Sequence, residues 1–201
     1  SYGTVNLQGE GTTWELPFFL TIDHGTVEVG AGASLQPGYF FALFGDGHLG
    51  GDGSITSDIL NFGEITPGDF NSRTGTLFVD GDYEQVGEIP VLGSGSGTLQ
   101  CNLTKTGHSE LYVTGTAILG GGLIANLSDT FDPAADTSFR LLSANEVIDQ
   151  FDVVLMPGLS EGKYMNLAYD EVGLRTGSSG IDIVVDTFAN LLGFDDPDNV
   201  P

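Results

Sequence analysis

The sequence predicts an all-β protein, specifically a right-handed parallel β-helix (β-solenoid) with a less regular C-terminal capping part. Three observations carry that expectation. The first is a recurring Gly-(Thr/Ser)-apolar strand start, at Gly3-Thr4-Val5, Gly25-Thr26-Val27, Gly53-Ser54-Ile55, Gly75-Thr76-Leu77, Gly97-Thr98-Leu99 and Gly115-Thr116-Ala117. The intervals are 22, 28, 22, 22 and 18 residues. A spacing near 22 suits one coil of a β-solenoid, and the longer interval suits one coil with an insertion. The second is strict alternation after these starts. Val27 and Val29 share a face, as do Leu77 and Val79, then Leu99, Cys101 and Leu103, then Ile181, Ile183 and Val185. A period of two with one apolar face is a half-buried strand. The third is glycine, at 31 of 201 residues. Gly45-Asp46-Gly47, Gly50-Gly51-Asp52-Gly53, Asp80-Gly81-Asp82 and Gly120-Gly121-Gly122 punctuate the strands, as corners that need positive φ require.

The chain divides near residue 104. Residues 1–104 read as regular coils and 105–194 as a continuation that caps them, because an open end exposes core side chains and strand edges. Residues 195–201 read as an acidic tail. Helical text is scant. Ala144 to Phe151 fits a short helix, and Thr187 to Leu192 fits another, with Gly193 past its end.

Charge excludes several functions. Twenty-eight acids against five bases leave a net charge of −23. Five bases cannot form the cationic footprint that nucleic acid requires. No apolar run is long enough for a membrane helix, so no membrane insertion is expected. A hydrophobic fraction of 40% supplies a core and argues against disorder. A single cysteine, Cys101, excludes an intrachain disulfide framework, and its place between Leu99 and Leu103 reads as a small buried hydrophobe.

Two longer stretches carry a resemblance. Asn61-Phe62-Gly63-Glu64-Ile65-Thr66-Pro67-Gly68 is followed by Gly75-Thr76-Leu77-Phe78-Val79-Asp80-Gly81-Asp82-Tyr83-Glu84-Gln85. Together they resemble the coil pattern of β-helical autotransporter passengers and related bacterial surface proteins. The run Gly107 to Ala117 and the run Phe131 to Leu142 resemble the next elements of those passengers. The resemblance spans about residues 50–185 and implies a right-handed β-helix displayed outside a bacterial cell. It implies no catalytic residues. No outer-membrane barrel follows in this sequence.

Candidate chemistry is sparse. Gly50-Gly51-Asp52-Gly53-Ser54-Ile55 approaches a calcium-binding nonapeptide but has Ile55 where the ligand-bearing aspartate belongs. Asp46 with Asp52, or Asp80 with Asp82, are the metal candidates, as a structural calcium site formed between aligned coils. The competing reading is solvated Asx turns, and no cofactor is otherwise expected. His24 beside Asp23, His48 near Asp46 and His108 near Glu110 read as three unrelated pairs. No nucleophile elbow, zincin motif or phosphate loop occurs, so no catalytic residue is assigned and the chain is expected not to be an enzyme.

Surplus apolar text is the most informative oddity. Tyr39, Phe40, Phe41 and Phe44 crowd one coil, and Trp14, Phe18 and Phe19 crowd another. Phe188, Leu191, Leu192 and Phe194 follow the last strand. Alternate side chains of a strand must face outward, so these residues read as an interface. Contacts between unlike ends do not close and propagate into a polymer. The sequence therefore predicts a non-catalytic extracellular structural subunit, a homo-oligomer or head-to-tail polymer forming a surface filament or layer. The alternative is an adhesin that binds a neutral glycan through the aromatic strip. A β-helical glycoside hydrolase is a third reading, requiring two carboxylates on one face.

Overall fold

The computed structural model describes residues 3–69, 71–87, 95–128, 130–160, 162–170 and 179–187. Its strands are β1 (Gly3–Leu7), β2 (Thr13–Leu16), β3 (Leu20–Val29), β4 (Ser34–Pro37), β5 (Phe40–Gly51), β6 (Ser54–Ile55) and β7 (Asp58–Asn61). They continue as β8 (Glu64–Pro67), β9 (Gly75–Val79), β10 (Tyr83–Gln85), β11 (Thr98–Leu103), β12 (Ser109–Val113) and β13 (Thr116–Ile118). The last are β14 (Gly122–Leu127), β15 (Ser138–Ala144), β16 (Glu146–Ile148), β17 (Val153–Leu155), β18 (Lys163–Asp170) and β19 (Ser179–Thr187). No helix occurs among the described residues, and the protein is all-β. The stretch expected to form a helix at Ala144 to Phe151 instead contains β16. The Thr187 to Leu192 expectation falls, after Thr187, outside the described residues.

The right-handed parallel β-helix is not what forms. An 11-stranded, wholly parallel sheet curls into half a barrel, and an 8-stranded mixed sheet faces it. The mixed sheet ends in an antiparallel turn-back, because β19 pairs antiparallel with both β15 and β18. The repeat misled for a physical reason. Gly3-Thr4 and Gly25-Thr26 pair with each other in the parallel sheet, whereas Gly75-Thr76 lies in the mixed sheet. The triplet is a general way to enter a strand, and it does not mark one position of one coil. Pairing offsets differ accordingly: Val5 faces Val27, yet Tyr83 faces Ala117.

Glycine curls the parallel sheet without ending its strands. At Gly25, φ is 131°, and a Cβ there would come within 2.7 Å of the Gly3 carbonyl oxygen. Thus β3 and β5 run on through positions where a β-helix would turn a corner into a new sheet. The long β5 then pairs along one edge with β7 through Phe40–Leu43 and with β8 through His48–Gly50. The sheet forks there into two arms, β7-β10-β13-β16 and β8-β11-β14-β17. The second arm is continuous across residue 104, since β11 pairs with both β8 and β14.

The core lies between the two sheets. Val27, Leu49, Ile65, Leu99 and Leu123 enter it from the parallel sheet, and Leu35, Ile55, Leu77, Leu111 and Ile183 from the mixed one. Inside the fork, three buried polar side chains form a chain of hydrogen bonds. Asn61 Nδ2 donates to the Tyr83 hydroxyl at 3.1 Å, which donates to Gln85 Oε1 at 2.6 Å. Gln85 Nε2 donates to the Gly120 and Gly122 carbonyls at 2.7 and 2.9 Å. These carbonyls sit where the backbone passes from one arm to the other, from β13 to β14. Toward the C-terminal end, Arg140 pairs with Asp182 at 2.6 Å across β15 and β19, and Lys163 pairs with Asp132 at 2.7 Å.

Candidate functional site

The pairing register produces one apolar ladder that runs through seven strands of the parallel sheet, from β1 to β17. Val5 pairs with Val27, Val27 with Leu49, Leu49 with Ile65, Ile65 with Leu99, Leu99 with Leu123, and Leu123 with Val154. The five inner members are closed to solvent, while Val5 is 36% exposed and Val154 is half-buried. Among the described residues, β1 pairs only with β3, and β17 pairs only with β14. Among the described residues, each end therefore presents a strand edge with a free side beside a core position that is only partly covered. Val153 and Leu155 flank Val154 and are more than half exposed. At the β1 end, Leu7, Trp14, Leu16, Leu20 and Ile22 pack against the core but remain half-buried.

The residues expected at an interface separate into three groups. Phe18, Phe19, Tyr39 and Phe40 are exposed, and the Phe19 and Phe40 rings stack with centroids 5.4 Å apart. Trp14 is half-buried at the edge strand β2, and Phe44 is half-buried against Phe62, at 5.1 Å. Phe41 is a correction: it is fully buried and belongs to the core. Phe41, Ala42 and Leu43 pair in regular register with Leu20, Thr21 and Ile22, and all three are closed to solvent. Phe188, Leu191, Leu192 and Phe194 lie outside the described residues.

Sequence reasoning missed a polar cluster on the outer face of the parallel sheet. Register places His48 beside Glu64 and places Glu28 over Gly50 and Thr66. Gly50 makes room: a Cβ there would come within 2.5 Å of Glu28 Oε2. His48 Nδ1 lies 3.8 Å from Glu28 Oε1, and its Nε2 lies 3.7 Å from Glu64 Oε1 and 3.2 Å from Thr66 Oγ1. With Arg73, Asp69 and Gln100 these residues line a hollow of about 120 Å³. Burial pushes the Glu28 carboxyl up, against the pull of Arg73. Burial holds the His48 imidazole down, against Glu64 and together with Arg73. The Thr66 hydroxyl donates to Glu64 at 3.2 Å, which leaves its oxygen to accept from His48 Nε2–H. In that arrangement His48 does not act as a base toward Thr66. The partners of His48, Glu28, Glu64 and Thr66, stand 20, 16 and 18 positions away, so only the register reveals them.

The metal candidates have structural partners. Asp80 Oδ1 accepts the Thr114 hydroxyl at 3.0 Å, and Asp82 Oδ1 accepts the Thr116 amide at 2.7 Å. Asp46 lies 3.6 Å from His24, which also lies 3.9 Å from Asp23, and Asp52 is half-buried beside Gly75. Among the described residues no three His, Cys, Asp or Glu side chains form a group that could hold a metal ion. The Cys101 thiol is fully buried, and burial pushes its pKa up. No protein-family model matches the chain, and no curated protein matches it.

Proposed function

We propose that the protein is a non-catalytic structural subunit whose copies add head to tail, building a filament or layer outside the cell. The apolar ladder from Val5 to Val154 carries this reading. Because every pairing from β1 to β17 is parallel, these two outer strands point the same way. A second copy displaced along the ladder brings its β17 edge to the first copy's β1 edge with matching direction. That contact extends the backbone pairing and covers Val5 and Val154 at once. A translation of this kind does not close, so it propagates.

Two further features support the reading. A buried, unreactive thiol suits an oxidising exterior. The His48 cluster lacks an oriented base, since both carboxylates stand beyond hydrogen-bonding reach of the imidazole.

Sedimentation velocity of the wild type and of Val5→Lys tests the proposal. The wild type is expected to form concentration-dependent species larger than a monomer. The variant places a charge at the ladder's open end and is expected to remain monomeric with an unchanged circular dichroism spectrum. A wild type that stays monomeric at every concentration contradicts the proposal.

A further inference from the structure

A groove of about 340 Å³ crosses the outer face of the first arm, on its middle rungs and away from the ladder ends. Phe40, Leu60 and Ile118 form its apolar wall, and Asp58, Asp82 and Glu84 supply three carboxylates. Register explains the arrangement. Phe40 pairs with Asp58, the next rung carries Asp82, and Glu84 lies between Leu60 and Ile118. Phe19 stacks on one face of the Phe40 ring, with 11° between the ring planes, so the opposite face bounds the groove. The column of flat rings therefore stops at Phe40, and the shorter Asp58 and Asp82 leave the next place in the column open.

The two aspartates are held in position. Asp58 Oδ1 accepts the Asp82 amide at 2.9 Å, and Asp82 Oδ1 accepts the Thr116 amide at 2.7 Å. Each amide bond anchors a carboxylate through one of its oxygens. Successive rungs are about 4.8 Å apart, so the two anchored carboxylates form a preset pair of acceptors on the strands next to Phe40.

We infer that this groove binds the guanidinium group of an arginine presented by a partner peptide. A guanidinium is flat, so it continues the Phe19–Phe40 column by stacking on the free face of Phe40. Its fork of N–H donors reaches two carboxylates on adjacent rungs, which a single ammonium point charge does less well. A neutral sugar also stacks on an aromatic ring, but its hydroxyls need donors as well as acceptors. Of the lining side chains only Thr116 and Tyr83 carry a hydroxyl, and Tyr83 is buried and donates its own to Gln85. The net charge of −23 draws a cationic partner and repels an anionic one.

The test is an NMR titration of the full chain at about 0.15 M salt, where exposed charges are screened beyond about 8 Å. The probes are the capped tripeptide Gly-Arg-Gly, its Gly-Lys-Gly counterpart and a neutral cellotetraose. The arginine peptide is expected to give saturable shifts at the Asp82 and Thr116 amides, with about ten-fold tighter binding than the lysine peptide. Phe40→Ala and Glu84→Gln are each expected to weaken it, while Phe18→Ala is not. If Phe40→Ala lowers the melting temperature, Glu84→Gln decides. Equal binding of the lysine peptide reduces the effect to charge alone and overturns the inference. Saturable binding of cellotetraose at these amides assigns a glycan site and also overturns it, as does a linear, unsaturable response to arginine.

Discussion

Val5 and Val154 stand at opposite ends of one hydrogen-bonded ladder of seven residues, and the five between them are closed to solvent. Six steps of about 4.8 Å place them roughly 29 Å apart along the sheet. The same interior row thus emerges at both ends of the protein. This relationship connects the fold to the proposed assembly, and it sets the first prediction.

Copies carrying a net charge of −23 repel one another. Apolar contact and backbone pairing at the ladder ends must overcome that repulsion. Raising sodium chloride from about 0.01 M to about 1 M shortens the screening length from about 30 Å to about 3 Å. Association measured by light scattering is therefore expected to strengthen with salt. Weakening with salt indicates that ion pairs, and not apolar ends, hold the copies together.

The buried chain from Asn61 through Tyr83 to Gln85 satisfies backbone groups where the two arms meet. Gln85→Leu removes both donors to the Gly120 and Gly122 carbonyls. It is expected to lower stability by about 2–4 kcal/mol, since buried acceptors are left unpaired. Tyr83→Phe keeps the ring and is expected to cost less, about 1–2 kcal/mol. Urea denaturation compares the two. A neutral Gln85→Leu shows that water or a backbone shift replaces the side chain.

His48 predicts a pH dependence. The fold holds its imidazole below the ordinary 6.5, so the unfolded chain binds the proton more readily. Stability is then fully present above the unfolded value and falls as the pH drops through it. Glu28 acts in the opposite sense. Its carboxyl is raised above 4.5, so the folded chain takes up that proton first, and acidification relieves a cost. His48→Gln is expected to flatten the decline in melting temperature between about pH 7.5 and 5.5, the range where histidine titrates. Parallel profiles for the two proteins remove His48 from the account.

The strands were legible in the sequence because alternation reports burial directly. Val27 and Val29, Leu99, Cys101 and Leu103, and Ile181, Ile183 and Val185 all lie fully inside. The sheet to which a strand belongs was not legible, because Gly-Thr starts enter both sheets and alternation reads alike in each. Nor was the point where glycine bends a strand without ending it, as at Gly25 within β3. The His48 cluster and the Phe40 groove depend on register between rungs, and the offset changes along the chain. Phe41 escaped because its neighbours Tyr39, Phe40 and Phe44 read alike in sequence, and only its pairing with Leu20 and Ile59 on adjacent strands places it inside.

Cys101 offers a check on the core itself. Its thiol is fully buried, and burial pushes its pKa up, so little thiolate forms at neutral pH. A thiol reagent such as Ellman's is expected to leave the native protein unmodified for hours and to react at once in denaturant. Rapid reaction in native buffer places Cys101 outside the core.

Electron microscopy with fibre diffraction of the concentrated wild-type protein tests the central claim most directly. Head-to-tail addition along the Val5–Val154 ladder is expected to give unbranched filaments with strands across the axis and a meridional reflection near about 4.8 Å. Monodisperse single particles at every concentration, with and without added calcium, contradict it.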